Sequence, residues 1–194
     1  SPLGVALSRA RRQALLAWAQ EQGSWVVEDD YDSEFRYQGQ PLAALKSQDV
    51  QDRVIHVGSF SKMLFPGLRL GYLVVPAQLV EAFEHSAHAL QQRSAQLLQL
   101  AAADFLEQGH FTRHLKKMRL LYAQRRGFLV EALRVHCAAF LRVDEQAGGI
   151  NLLARLVVAV PDHVVAEAAN REGLALQALS QWMLEPGREQ GLLM

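Results

Sequence analysis

Val26-Val27-Glu28-Asp29-Asp30-Tyr31 passes from an apolar run into acids and a phenol. Val57-Gly58-Ser59-Phe60-Ser61-Lys62, followed by Arg69 and Gly71, passes from an apolar run into hydroxyls, an amine and a guanidinium. Each reads as a buried strand that emerges into polar residues at its C-terminal end. In α/β folds that end is where ligands bind. Together the two segments supply the groups that hold pyridoxal 5'-phosphate: an amine for the aldehyde, an acid for the ring nitrogen, and donors for the phosphate.

Lys62 lies just beyond the second strand and before the turn at Pro66-Gly67. To react with an aldehyde its amine must lose a proton, which burial and nearby cations favour. Asp29 falls on the opposite strand face from Glu28. A buried carboxylate needs a cationic partner, and a protonated pyridine nitrogen is one. Taken alone, Asp29 reads as well as a strand-end cap for the next turn; the neighbouring Lys62 favours the first reading. Tyr31 shares the face of Asp29 if the chain stays extended, which sets its hydroxyl toward the cofactor's phenolic oxygen. Ser59, Ser61 and Arg69 suit a phosphate. Arg69 stands between Leu68 and Leu70 in an expected strand and so needs an anion, which a protein carboxylate would also supply. Gly71 permits close backbone approach or a bulge. Asp30 and Asp32 read as loop residues.

Outward from these segments, Ser8 is an N-cap for a helix from about Arg9 to Gln22, with Leu15, Leu16, Trp18 and Ala19 inside and Gly23 as the stop. Strands are expected at Trp25–Glu28, Arg53–Gly58 and Leu68–Val75, with loop over Asp30–Ala44. The order helix, strand, loop, strand, strand, helix implies an α/β sheet with mixed pairing. Residues from Ala77 to about Leu106 are helical in pattern, and a long helix is expected from about Thr112 to Val135. Its basic residues Arg113, Lys116, Lys117, Arg119, Arg125 and Arg126 read as a solvated face over Phe111, Leu115, Met118, Tyr122 and Leu129. After Ala138 a smaller α+β unit is expected. It has strands near Phe140–Val143, Ile150–Val158 and Leu174–Ala178, and a helix near His163–Glu172.

The bulk properties exclude several classes. The chain has 194 residues, half of them hydrophobic, with twenty basic and twenty acidic side chains. That balance does not suggest a polyanion-binding domain. The single cysteine, Cys137, forbids an internal disulfide and fits a reducing, cytoplasmic setting. No apolar run reaches the length of a membrane span. His110 and His114 are one helical turn apart without a third metal ligand. The sequence opens at Ser1-Pro2-Leu3-Gly4 without methionine and closes at Gly191-Leu192-Leu193-Met194 inside an expected strand. It reads as a piece of a longer polypeptide.

Glu28-Asp29-Asp30-Tyr31-Asp32-Ser33-Glu34-Phe35-Arg36-Tyr37, then Gly39-x-Pro41-Leu42-x-Ala44-Leu45, then Gly58-Ser59-Phe60-Ser61-Lys62-x-Leu64-Phe65-Pro66-x-Leu68-Arg69-Leu70-Gly71-Tyr72 resembles the MocR-type regulators of the GntR superfamily. These join an N-terminal winged helix-turn-helix to a domain similar to fold-type I aminotransferases. The resemblance implies that Lys62 is the Schiff-base lysine, Asp29 the acid at the pyridine nitrogen and Tyr31 the phenol at the cofactor oxygen. It implies phosphate contacts from Ser59 and Arg69. Residues 1–105 would be the later part of a fold-type I large domain with a mixed, mostly parallel sheet. Residues 106–136 would be an interdomain helix, and residues 137–194 a C-terminal α+β small domain. The winged helix and the first half of the large domain would lie outside this sequence. Leu179-Ser180-Gln181-Trp182 falls where some members carry an arginine for the ligand's carboxylate, a charge Gln181 lacks.

The expected function is therefore effector sensing by a pyridoxal phosphate domain of a transcription regulator. An amine or amino acid would form an external aldimine in place of Lys62, and the response would pass to a DNA-binding domain as allosteric coupling. DNA would be contacted only through the winged helix, and the resemblance implies a homodimer. The alternative is a genuine aminotransferase, with Lys62 also moving protons. A third reading is an interaction module that keeps the fold without the cofactor.

Overall fold

In the computed structural model, which describes residues 2–90, 96–185 and 189–194, β1 (Val26–Asp30) and β2 (Val54–Ser59) pair in parallel and β3 (Gly71–Val74) pairs antiparallel to β2. The mixed α/β sheet expected from the sequence is borne out. The chain divides into two units.

The first unit comprises residues 7–34 and 40–117. Its α1 (Arg9–Glu21) starts where Ser8 accepts a hydrogen bond from the Arg11 amide, and it stops before Gly23, which adopts φ 62°. Ala19 is fully buried, whereas Trp18 is half exposed and not part of an inner face. The Arg12 guanidinium donates to the carbonyl of Ala43 at 2.6 Å. Asp49 closes the entrance to β2 by accepting from the amides of Arg53 and Val54, both at 2.7 Å.

The first strand is not buried on both faces, as the run Trp-Val-Val suggested. Burial alternates along it, and Val27 is 64% exposed. The third strand is shorter than expected. Pro66–Leu68 form a 3-10 turn, Arg69 takes a left-handed conformation, and pairing begins only at Gly71. Leu68 and Leu70 are buried by this turn rather than by a strand. Beyond Pro76 come α2 (Val80–Ala89) and α3 (Gln96–Glu107). The part of the expected helical segment at 91–95 lies outside the described residues. Helix α4 (His110–Cys137) spans 28 residues, of which those to Lys117 belong to this unit.

The second unit comprises residues 1–6, 35–39 and 118–194. Its sheet is β4 (Leu141–Asp144), β5 (Leu153–Leu156), β7 (Gly191–Leu193) and β6 (Gln177–Ala178), in the spatial order β4-β5-β7-β6, all antiparallel. The expected strand Leu174–Ala178 shrinks to two residues because Leu174 is exposed and only Ala178 is buried. Leu153, Leu179 and Leu193 form one apolar cluster. Ala166, Ala178 and Leu192 form another under α5 (Asp162–Arg171). Arg155 pairs with Asp144 at 2.5 Å and with Glu189 at 2.7 Å, tying β5 to its flanks.

On the later part of α4, Val130 is buried and Leu129 is exposed, the reverse of the expected register. Arg126 leaves the solvated face. It donates to the carbonyls of Asn151 and Gln146 and lies over the Tyr37 ring. Burial of that guanidinium lowers its pKa, opposed by Tyr37 and Glu145. Phe35 is fully buried against Tyr122, and its carbonyl accepts from Gly149 at 2.8 Å. Among the described residues no helix is long and apolar enough to cross a membrane.

Candidate functional site

The register of the three-stranded sheet sorts its side chains onto two faces. Glu28, His56 and Val74 are aligned, as are Asp30, Gly58 and Tyr72. These share one face. Asp29, Val57 and Leu73 are aligned on the other, with Ser59 opposite Gly71.

The first face is closed by its own chemistry. Glu28 accepts from the amides of Leu45 at 2.5 Å and Lys46 at 3.0 Å, and contacts His56 Nδ1 at 2.9 Å. Burial pushes the Glu28 carboxyl up, but these hydrogen bonds outweigh it and hold the pKa below its usual value. The Pro41-Leu42-x-Ala44-Leu45 stretch thus has a physical role: its last residue, Leu45, and the following Lys46 each deliver an amide to Glu28. Toward the strand ends, the Tyr72 ring lies where a side chain at Gly58 would stand. A Cβ there would approach Tyr72 Cζ to 2.1 Å. The ring also packs against Phe60 at 5.5 Å between centroids. Burial and the negative charges of Asp30 and Glu34 raise the Tyr72 pKa.

The second face is more open toward the strand ends: Val27, Asp29 and Leu73 are exposed and Val57 and Ser59 half-buried, although Ile55, paired with Val27, is buried. Asp29 is therefore not the buried carboxylate expected from its strand. Glu28 is the acid that packing engages, because the amides of Leu45 and Lys46 close on it. Asp29 makes no hydrogen bond or ion pair among the described residues, so its carboxylate remains available.

Lys62 is exposed on a turn that follows β2. The turn itself is anchored. The amide of Phe60 donates to Leu70 at 2.9 Å and that of Leu64 to Phe60 at 2.8 Å. Met63 is 7% exposed, and its carbonyl lies 3.0 Å from His114 Nε2. His114 is thus tied to this turn rather than a free surface residue. Ser59 Oγ accepts from the Ser61 amide at 3.2 Å, which closes the start of the same turn. Arg69 is exposed with φ 46°. It does not sit in a strand; its left-handed backbone sends it out between two buried leucines, at a cost of about 1 kcal/mol for a residue with a Cβ. Such strain gathers at functional positions.

Tyr31 is half-buried and lies in a bend, not in a continuation of β1. Asp30, read from sequence as loop, is the last residue of β1 and accepts from the Ser33 amide at 3.2 Å and the Ser33 hydroxyl at 2.7 Å. An acid followed three residues later by serine is a turn signal that sequence alone carries. The Glu28 network, the Tyr72–Gly58 packing and the His114 contact have no such local signal.

Asp29, Tyr31, Ser59, Ser61, Lys62 and Arg69 all belong to the strand ends or to the turns that join β1, β2 and β3 at one end of the sheet. That end offers a free carboxylate, an amine, a guanidinium and hydroxyls to a ligand. Among the described residues no group of three His, Cys, Asp or Glu side chains could hold a metal ion.

Comparison with known proteins bears on what this end of the sheet is. The chain is 39% identical over 193 residues to the probable rhizopine catabolism regulatory protein MocR of Rhizobium meliloti, covering 100% of this chain and 39% of that protein. It is 38% identical over 184 residues to YhdI, an uncharacterized HTH-type transcriptional regulator of Bacillus subtilis, covering 95% of this chain and 39% of that protein. The crystal structure of Pyrococcus horikoshii kynurenine aminotransferase superposes with a TM-score of 0.87 at 27% identity, covering 100% of this chain and 48% of that one. The chain thus spans about two-fifths of the length of the regulators and about half that of the enzyme. The aminotransferase class I and II family model matches residues 1–187. With a fold-type I sheet and a lysine-bearing turn at its C-terminal end, the chain belongs to the aminotransferase class I and II family.

Proposed function

We propose that this chain is the effector-sensing, pyridoxal phosphate-binding part of a MocR-type transcription regulator. The observation that carries the reading is the division of labour among adjacent polar groups. Glu28 and Asp30 are engaged by protein donors, while Asp29, Lys62 and Arg69 have no hydrogen bond or ion pair among the described residues. That donor set fits pyridoxal phosphate. Asp29 would hold a proton at the pyridine nitrogen. Tyr31 would donate to the phenolic oxygen. Ser59, Ser61 and Arg69 would bind the phosphate, and Lys62 would present its amine to the aldehyde. When bound, the cofactor supplies an electrophilic carbonyl and an electron-accepting ring.

The effector is then an amine or amino acid that competes with Lys62. DNA is contacted by a separate winged-helix domain, a reading supported by the HTH-type description of the Bacillus subtilis regulator YhdI, and the protein works as a cytoplasmic homodimer. Residues 1–105 are the large-domain portion, 106–136 the interdomain helix and 137–194 the small domain. Higher identity to the regulators, 39% and 38% against 27% for the enzyme, supports regulation over turnover. A second reading, a working aminotransferase, is supported by the close superposition on an enzyme of that activity.

The test is a visible absorption spectrum of the protein that carries this chain, with added pyridoxal phosphate, beside Lys62→Ala. A band that requires Lys62 and shifts with amines supports the proposal. If operator binding is the same with and without the cofactor and amines while an amino acid and a keto acid turn over steadily, the enzyme reading replaces it. No Lys62-dependent band removes both.

A further inference from the structure

The acids Glu28, Asp29 and Asp30 are consecutive, yet the structure gives each a different environment. Glu28 is bound to the 45–46 amides, Asp29 is free, and Asp30 uses both carboxylate oxygens on a single residue, Ser33. One oxygen of Asp30 accepts the Ser33 amide at 3.2 Å and the other accepts the Ser33 hydroxyl at 2.7 Å. The two residues enclosed by this closure are Tyr31 and Asp32. Asp30 is itself fixed in register with Gly58, across which the Tyr72 ring lies. Its backbone is therefore held by β2 and its side chain by Ser33. Tyr31, half-buried and in a bend, has its backbone direction set between them.

We infer that Asp30, acting through Ser33, is a positioning residue for Tyr31. It holds the bend that aims the phenol toward the phenolic oxygen of the cofactor. The inference rests on the cofactor reading above and extends it to a residue outside the cofactor's contact set. A carboxylate suits the task because it accepts two donors at once, and charge strengthens both bonds. Asparagine keeps one acceptor for the Ser33 amide, and its own amide can donate to the Ser33 hydroxyl. Alanine keeps neither bond.

The experiment uses the protein that carries this chain, with and without pyridoxal phosphate, and compares Asp30→Ala, Asp30→Asn, Ser33→Ala, Tyr31→Phe and the double variant Asp30→Ala/Tyr31→Phe. Without cofactor, the Ser33 amide should exchange about tenfold faster in Asp30→Ala and close to normally in Asp30→Asn. With cofactor, the pH midpoint of the Lys62-dependent band should move in Asp30→Ala in the same direction as in Tyr31→Phe. It should return toward normal in Asp30→Asn and take an intermediate value in Ser33→Ala. The double variant should move no further than Tyr31→Phe alone, because the effect of Asp30 passes through the phenol. Faster exchange with an unmoved midpoint overturns the inference and leaves Asp30 as a structural cap. So does an additive shift in the double variant, which would make Asp30 a separate charge acting on the cofactor. Absence of any Lys62-dependent band in the unaltered protein is the distinct result that defeats the cofactor reading itself.

Discussion

Asp162 opens a helix and Asp29 is the next-to-last residue of a strand, and the two acids have opposite surroundings. Asp162 opens α5 in the second unit and is fully buried. It accepts from the Ser180 amide at 2.8 Å, the Ser180 hydroxyl at 2.5 Å and the Gly191 amide at 3.1 Å. Asp29 lies exposed on the second face of the first sheet, with no donor among the described residues. A buried carboxylate without a counter-ion persists only where donors surround it. Asp162 therefore reports on architecture: it pins α5, the 179–182 turn and β7 together. An exposed acid and an exposed lysine at the same end of the sheet, neither with a partner among the described residues, report on chemistry brought from outside. Glu28, one residue from Asp29, behaves like Asp162, so the contrast runs along a single strand as well as between units.

Breaking the architectural side should have the largest effect. Asp162→Ala leaves the Ser180 and Gly191 amides buried without an acceptor and should cost about 3 kcal/mol, read as a lowered midpoint in chemical denaturation. Asp162→Asn retains one acceptor and should cost less. The pH dependence has a definite sign. Burial pushes the Asp162 carboxyl up, but the Ser180 and Gly191 hydrogen bonds outweigh it and hold its pKa below the ordinary 3.8. A group depressed in the folded state contributes stability above its unfolded pKa. That stability is lost as pH falls through the folded value. Thermal midpoints should fall on acidification more steeply in the unaltered chain than in Asp162→Asn. Equal slopes would mean that the carboxylate is not the titrating group.

Glu28→Ala comes next, at about 2 kcal/mol, since it orphans the partly buried amides of Leu45 and Lys46 and removes the partner of His56. The Glu28 pKa is also depressed, so this contribution too is present above the carboxylate range and lost below it. The loop over residues 41–46 should show the largest rise in hydrogen exchange. Loss of protection elsewhere with that loop unchanged would contradict the docking role.

Gly58→Ala should cost less, on the order of 1 kcal/mol. The new Cβ meets only the outer ring atoms of Tyr72, and that ring is 41% exposed and can swing away. The expected sign of success is a Tyr72 ring that has become more exposed, read as a phenol titrating closer to its ordinary pKa of 10.0.

Much of this contrast is legible in the sequence, and the parts that are not share a cause. Strand alternation places Glu28 and Asp29 on opposite faces, and the helix signals at Ser8 and Gly23 locate α1 to within a residue. Alternation cannot say which face another segment will cover. That is decided by Leu45 and Lys46, whose amides reach Glu28 from well along the chain. Arg69 looks like a strand residue because leucines flank it, yet the Pro66-Gly67 turn buries both by curling, not by pairing. On α4 the expected register fails at Leu129 because the helix passes from one unit to the other at Met118, and the packing of the second unit buries Val130 instead. Local pattern gives the elements and the acid-phenol and serine-lysine strings. Long-range docking selects which members of those strings stay free.

The smallest structural effect should come from the groups with the largest proposed chemical effect. Asp29→Ala and Lys62→Ala each remove an exposed side chain with no partner among the described residues, so stability should stay within about 0.5 kcal/mol of the unaltered chain. Asp29→Ala should also improve the like-charge balance beside Glu28 and Asp30, so a slight gain is the expected direction. Cofactor binding should respond in the opposite order. Lys62→Ala should abolish the visible band, and Asp29→Ala should weaken retention of pyridoxal phosphate by one to two orders of magnitude, the worth of a single charge-assisted hydrogen bond. Denaturation midpoints and dialysis against pyridoxal phosphate, measured on the same preparations, separate the two readouts. If Asp29→Ala loses several kcal/mol of stability, Asp29 is a structural acid like Asp162 and the distinction between the two faces collapses. If stability and retention are both unchanged, the open face holds its free carboxylate for another ligand.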